Sequence, residues 1–129
     1  VFDKKDFVSH SGEKLTWKIE VDDLDHYDIE TLAYLISQRK KFTKVFGVPT
    51  GGNRLAFELA QYEDLMPNTI LLVDDVMTTG GSMESMKVEL QNQYPTFDIE
   101  GVVIFCRDIE KCPSWVEPIF ILSEGFSKI

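Results

Sequence analysis

Only two cysteines occur in the chain, Cys106 and Cys112. They are too few for a disulfide framework, and their spacing is too wide for a C-x-x-C motif. Both are expected as reduced thiols in a cytoplasmic protein. The two histidines, His10 and His26, share no metal-ligand spacing and are expected at the surface. No apolar run approaches the ~20 residues that span a bilayer, and no signal-like segment opens the chain. The chain starts inside a motif-like region, so a few residues are expected to precede Val1. No G-x-x-x-x-G-K occurs, which excludes a Walker-type phosphate loop. Basic residues are scarce: 13 against 22 acidic, for a net charge of -9. That balance argues against general affinity for nucleic acid or anionic membranes. It leaves a phosphate ligand open, because helix N-termini, backbone N–H groups and bound metal hold phosphate locally.

What is present is the composition of a globular chain, 43% hydrophobic and 27% charged over 129 residues. This suits one domain, 1–129, around one core. Leu15 to Val21 alternates apolar and polar residues, the pattern of a strand with one buried face. Asp25, with Asp28 three residues on, can cap a helix whose inner face is Ile29, Leu32, Ala33 and Ile36. That helix should end in the basic run Arg39-Lys40-Lys41. Val45–Val48 reads as a short strand broken by Pro49-Thr50-Gly51-Gly52. Asn53 is expected to cap a helix reaching about Tyr62, with Leu55, Ala56, Leu59 and Ala60 inward. A turn at Pro67-Asn68 leads to a second apolar strand, Ile70–Val73. A helix from Gly81 or Ser82 carries Met83, Met86 and Leu90 on one face. Val102–Phe105 and Ile119–Leu122 read as further strands, and Trp17 and Phe105 as core. The strands after Leu15–Val21 are apolar throughout rather than alternating, so both faces should be covered. The fold class is therefore α/β, three-layer, with a central parallel sheet, right-handed crossovers and helices on both faces. Ligands of such sheets bind beyond the carboxyl ends of the strands, where both Gly-Gly loops fall.

The stretch ILLVDDVMTTGGSM, Ile70 to Met83, carries the chemistry. Gly80 and Gly81 let backbone N–H groups turn inward, Thr78, Thr79 and Ser82 add hydroxyls, and the following helix adds its positive end. Together they make a cradle for a dianionic phosphate. Two carboxylates beside that cradle would repel the phosphate. They fit if Asp74 and Asp75 accept hydrogen bonds from sugar hydroxyls or if Mg²⁺ lies close by. A phosphate at one end and a diol at the other describe a ribose 5-phosphate.

Ile70 to Ser82 resembles the phosphoribosyl pyrophosphate (PRPP) motif of type I phosphoribosyltransferases. By that resemblance Asp74 and Asp75 are the catalytic acidic pair, meet the ribose hydroxyls and lie at the metal. Thr78, Thr79, Gly80, Gly81 and Ser82 would bind the 5-phosphate. FGVPTGGNRLA is similar to the family's pyrophosphate loop, which assigns Thr50, Gly51, Gly52 and Asn53, with Arg54 a further candidate, to pyrophosphate. SHSGEKLTWKIEVDDL and GVVIFCRD resemble segments of the orotate phosphoribosyltransferases, with Cys106 in place of an aspartate. The resemblance implies a small N-terminal strand hood over the base site. It also implies that Arg107 meets an orotate-like carboxylate and that Lys14 or Lys18 helps position base or pyrophosphate. Mg²⁺, PRPP, a nitrogenous base and a homodimer are implied in the same way.

Each residue also has a plainer reading. Asp74-Asp75 alone would read as a solvated strand end, Thr50–Asn53 as an ordinary turn, Arg107 as a surface arginine, and Lys14 and Lys18 as strand-edge lysines. A receiver domain would need an aspartate at an earlier strand end and a lysine at a late one, and neither is in place. One departure bears on activity. Between the pyrophosphate-loop helix and the turn before Ile70 only Gln61 to Pro67 intervene, too few for the extra strand and lysine-bearing lid of the orotate enzymes. A non-catalytic PRPP or nucleotide sensor on the same fold is therefore the rival expectation.

Overall fold

The computed structural model describes residues 24–121. Helix α1, His26–Arg39, opens on a reciprocal capping box. The Asp28 N–H donates to Asp25 Oδ1 at 2.8 Å, and the Asp25 N–H donates to Asp28 Oδ2 at 3.1 Å. Two of the first-turn donors that the helix leaves unpaired are satisfied in this way. At the other end the basic run does more than complement the helix dipole. Arg39 pairs with Glu117, and Lys40 Nζ lies 3.4 Å from Glu100 and 3.5 Å from Glu117. Those contacts tie the end of α1 to strands β3, Asp98–Cys106, and β4, Val116–Ile121.

Four strands form one sheet in the order β1-β2-β3-β4, with every neighbouring pair parallel. β1 is Lys44–Gly47 and β2 is Thr69–Met77. The α/β three-layer architecture expected from the apolar strands is the one observed. On one face, Leu71, Val73, Val102 and Ile104 pack with Ile29, Leu32, Ala33 and Ile36 of α1 and with Leu55 and Leu59 of α2, Asn53–Leu59. On the other, Ile70, Leu72 and Val103 pack with Met83 and Leu90 of α3, Gly81–Gln93. Full burial of each such side chain contributes roughly 1.5–3 kcal/mol, so these two layers supply the main stabilisation of the sheet.

Several boundaries differ from the sequence reading. Asn53 is not a cap: Gly52 occupies that position, with no side-chain hydrogen bond. The turn closes through its own backbone instead, with Gly52 N donating to Val48 O at 2.8 Å and Asn53 N to Thr50 O at 3.1 Å. The α-helix stops at Leu59 and tightens into a 3-10 turn over Ala60–Tyr62. Ala60 is exposed and Ala56 half-buried, where both were expected inward. β2 and β3 are longer than their apolar runs, because ladder pairing carries on past them, through Asp74↔Val103 to Met77↔Cys106. The connection from β3 to β4 holds only a 3-10 turn, Ile109–Lys111. The strand read at Leu15–Val21, the hood, Trp17, Lys14, Lys18 and His10 lie outside the described residues. Among the described residues no helix is long and apolar enough to cross a membrane.

Candidate functional site

The carboxyl ends of β1, β2 and β3 converge on the two glycine loops. Along β2, Leu71 and Val73 face α1 and α2, while Ile70 and Leu72 face α3. Val76 then packs on the first side and Met77 on the second, so the alternation slips by one residue across Asp74 and Asp75. The β2–β3 register keeps the same offset throughout, from Thr69↔Asp98 to Met77↔Cys106, and leaves only Asp75 without a ladder partner. Here side chains take backbone donors. Asp74 Oδ1 accepts from Asp75 N at 2.8 Å, and Asp75 Oδ1 accepts from Val76 N at 2.7 Å. The aspartates are thus inside the strand, not beyond its end as the apolar run implied.

Asp74 is only 9% exposed. Burial pushes its carboxyl up to about 7 from 3.8, and the Asp75 carboxylate adds to the rise through a shared hydrogen bond and like charge. The Asp75 N–H opposes this without reversing it. Each carboxylate accepts from the N–H of the residue that follows it, which leaves oxygen lone pairs for other partners. An all-oxygen set of this kind suits a hard cation such as Mg²⁺, which would also relieve the raised proton affinity.

Beyond Met77 the chain turns at Gly80, which has φ 83°. That left-handed conformation is open to glycine at little cost, and Gly80 serves as the N-cap of α3 with no side-chain cap bond. At the start of α3 the Gly81 N–H donates to Thr79 Oγ1 at 3.4 Å. Asp74, Thr78, Thr79, Gly81 and Ser82 border a cavity of about 50 Å³ here, with Met77 and Met83 as its apolar floor. The structure thus brings Asp74 together with all five residues of the expected phosphate cradle.

The Pro49–Gly52 loop meets the same point from the side. A Cβ built on Gly51 would fall 2.6 Å from Asp75 Cγ, and one on Gly52 would fall 2.8 Å from Val48 N. Backbone and carboxylate are in contact, with no space for a side chain at either glycine. Val48 N donates to Val73 O at 2.9 Å, which pins the loop to β2. The Pro49–Thr50 peptide is cis.

Asn53 and Arg54 depart from this cluster. Arg54 Nη1 donates to Leu24 O at 2.7 Å. Both residues line a groove of about 510 Å³ with His26, Ile29, Phe57 and Glu58, which shares no residue with the phosphate cavity. Helix α2 carries Arg54 toward α1, so the guanidinium is engaged there. Arg107 follows β3 directly, and its N–H donates to Met77 O at 3.1 Å. Its backbone is thereby held beside the end of β2. Cys106, buried, and Cys112 are both free thiols.

One support had no signal in the sequence. Trp115 Nε1 donates to Glu84 Oε1 at 2.8 Å, and Lys87 Nζ lies 4.6 Å from the Trp115 ring centroid. This fastens the first turn of α3, which follows the cradle, to the β3–β4 connection. The partners are 31 residues apart, beyond any local pattern.

No family model matches the chain, and no curated protein matches it. Solved structures do. A xanthine-guanine-hypoxanthine phosphoribosyltransferase of Helicobacter pylori is 18% identical, with a TM-score of 0.53 over 72% of this chain and 85% of that one. An orotate phosphoribosyltransferase from Aeropyrum pernix is 16% identical, with a TM-score of 0.53 over 95% of this chain and 78% of that one. The chain has the fold of the type I phosphoribosyltransferases.

Proposed function

We propose that the chain binds PRPP and transfers its phosphoribosyl group to a ring nitrogen of a base, releasing pyrophosphate. The observation that carries this reading is the convergence at Asp75. Its carboxylate touches Gly51 of one loop, and its neighbour Asp74 borders the Thr78–Ser82 cavity of the other. A sugar phosphate carrying pyrophosphate has three parts, and the convergence offers one set of groups for each. The α3 N-terminus and the Thr78, Thr79 and Ser82 hydroxyls would hold the 5-phosphate. Asp74 and Asp75 would accept from the ribose hydroxyls and fix the ring. The Thr50–Gly52 backbone would follow the pyrophosphate. Displacement at the anomeric carbon passes through an oxocarbenium-like state, so the protein acts mainly by orienting the partners and favouring departure of the leaving group. Mg²⁺ bound at Asp74 and Asp75 would supply positive charge to the pyrophosphate.

The two structural neighbours are named for different bases, so the shared fold leaves the base to particular residues. Arg107, next to the end of β2, favours an orotate-like pyrimidine, because a guanidinium fork matches a carboxylate. A cytoplasmic homodimer belongs to the same proposal. One observation favours a second reading, a non-catalytic PRPP sensor. Only Glu63–Asn68 separate the 3-10 turn from β2, and no strand or lid lies between them. The test is turnover: PRPP, Mg²⁺ and in turn orotate, uracil and a purine, with pyrophosphate release as readout. Release with one base supports the transferase. Saturable PRPP binding with no release for any base supports the sensor.

A further inference from the structure

We propose that His26, Glu30 and Glu58 form a second cation site, on the α1/α2 side of the protein, that takes a borderline transition-metal ion such as Zn²⁺. The inference is independent of the PRPP reading and uses none of its residues. His26 and Glu30 are one turn apart on α1, and their Nε2 and Oε1 atoms lie 3.3 Å apart. Glu58 comes from α2, and the three ligand atoms all lie within 4.8 Å of one another. Neighbouring ligands of a tetrahedral ion with bonds of about 2.0–2.2 Å are about 3.3–3.6 Å apart. The His26–Glu30 pair already has that spacing, and the Glu58 ligand atom lies within 4.8 Å of both.

Tertiary packing holds the three together. Ile29, between the two α1 ligands, shares one core with Leu55 and Leu59, which flank Glu58 along α2. This packing brings together the two helices that carry the three ligands, while the His26 and Glu30 side chains are 70% and 46% exposed. Two carboxylates this close repel each other in a chain of net charge -9. Imidazolium or a metal can offset that repulsion. Arg54, in the same groove, is the competing counter-charge, but its Nη1 donates to the Leu24 carbonyl. One imidazole nitrogen with two carboxylate oxygens favours Zn²⁺ over Mg²⁺ or Ca²⁺, which prefer oxygen alone. Ile29 and Phe57 give the groove an apolar wall beside the cluster. The site also explains how its ion would act. It would clamp α2, a short helix with no side-chain cap bond, onto the first turns of α1.

The test uses the full chain stripped with EDTA and desalted, titrated with Zn²⁺ by calorimetry and followed by thermal melting. The expected result is saturable binding of one Zn²⁺ per chain and a Tm raised by several degrees. Both effects should vanish in His26→Ala and weaken about tenfold or more in Glu58→Gln. They should persist in Asp75→Asn, and Mg²⁺ should not reproduce the Tm rise. Neither His26 nor Glu58 is buried, so both variants should fold. The proposal is overturned by absence of saturable binding, by binding that survives both variants, or by binding lost in Cys112→Ser instead.

Discussion

The Asp75 carboxylate lies against the α-carbon of Gly51, so close that a Cβ there would sit 2.6 Å from Asp75 Cγ. Carbon atoms in contact prefer about 3.5–4.0 Å, so Gly51→Ala must push either the loop or the carboxylate away. Gly51 is exposed, and the core beneath is untouched. The variant should keep its fold by circular dichroism and lose at least ~10-fold in PRPP affinity by calorimetry. Unchanged affinity would mean that this contact has no part in ligand binding.

Asp75→Asn tests the sugar-reading role without changing shape. A hydrogen bond to a charged acceptor contributes about 1.5–3 kcal/mol, so ribose 5-phosphate should bind at least ~10-fold more weakly. Tm should barely move. Normal binding by the variant would leave the ribose hydroxyls without their proposed acceptor.

Asp74 sets a pH dependence with a definite sign. Its carboxyl titrates near 7 in the folded chain against 3.8 ordinarily, so the folded state holds the extra proton between those values. Stability must then fall as pH rises through that window and level off above it. Asp74→Asn removes the charge and with it the fall. Its advantage over the parent should be near zero at about pH 4 and reach the order of a few kcal/mol at about pH 8. Urea unfolding at both pH values checks this, and parallel curves for parent and variant would contradict it.

The same proton links to metal. A cation at the acidic pair favours the ionised form, so PRPP binding with Mg²⁺ at about pH 6.5 should release protons. Calorimetry in two buffers of different ionisation enthalpy measures that release. EDTA should also weaken PRPP binding markedly, because like charges oppose the approach of the ligand. Equal affinity with and without Mg²⁺ would remove the metal from the proposal.

Arg107 bears on the base. Arg107→Ala should abolish orotate binding in the presence of a PRPP analogue and Mg²⁺, while PRPP binding stays almost intact. Arg107→Lys should restore only part, since a point charge makes no bidentate pair with a carboxylate. If the parent binds orotate no more tightly than uracil, the pyrimidine assignment falls and the broader reading stands.

Much of the fold was legible because it rests on local rules. The capping box needs only Asp25 and Asp28, three residues apart. Apolar strands announce burial on both faces, and Gly80-Gly81 after the strand announces the turn into α3. The residues that line the cavity all fall within Asp74–Met83, so their proximity could be read from their order. Other features depend on which distant segments meet. Arg54 looked like part of the Gly51-Gly52 loop, yet its partner is Leu24, 30 residues away. Asn53 had the right chemistry for a cap, but the backbone of Val48–Asn53 had already closed the turn. The high proton affinity of Asp74 follows from desolvation, and burial is a property of the packed sheet rather than of the dipeptide. The His26, Glu30 and Glu58 cluster exists only because α1 packs on α2. Sequence by itself determined the elements and the turn that shapes the Thr78–Ser82 loop, because periodicity, capping and turn chemistry act over a few residues. Tertiary structure alone decided side-chain direction, contact between the loops and charge state, because each depends on neighbours that only folding brings near.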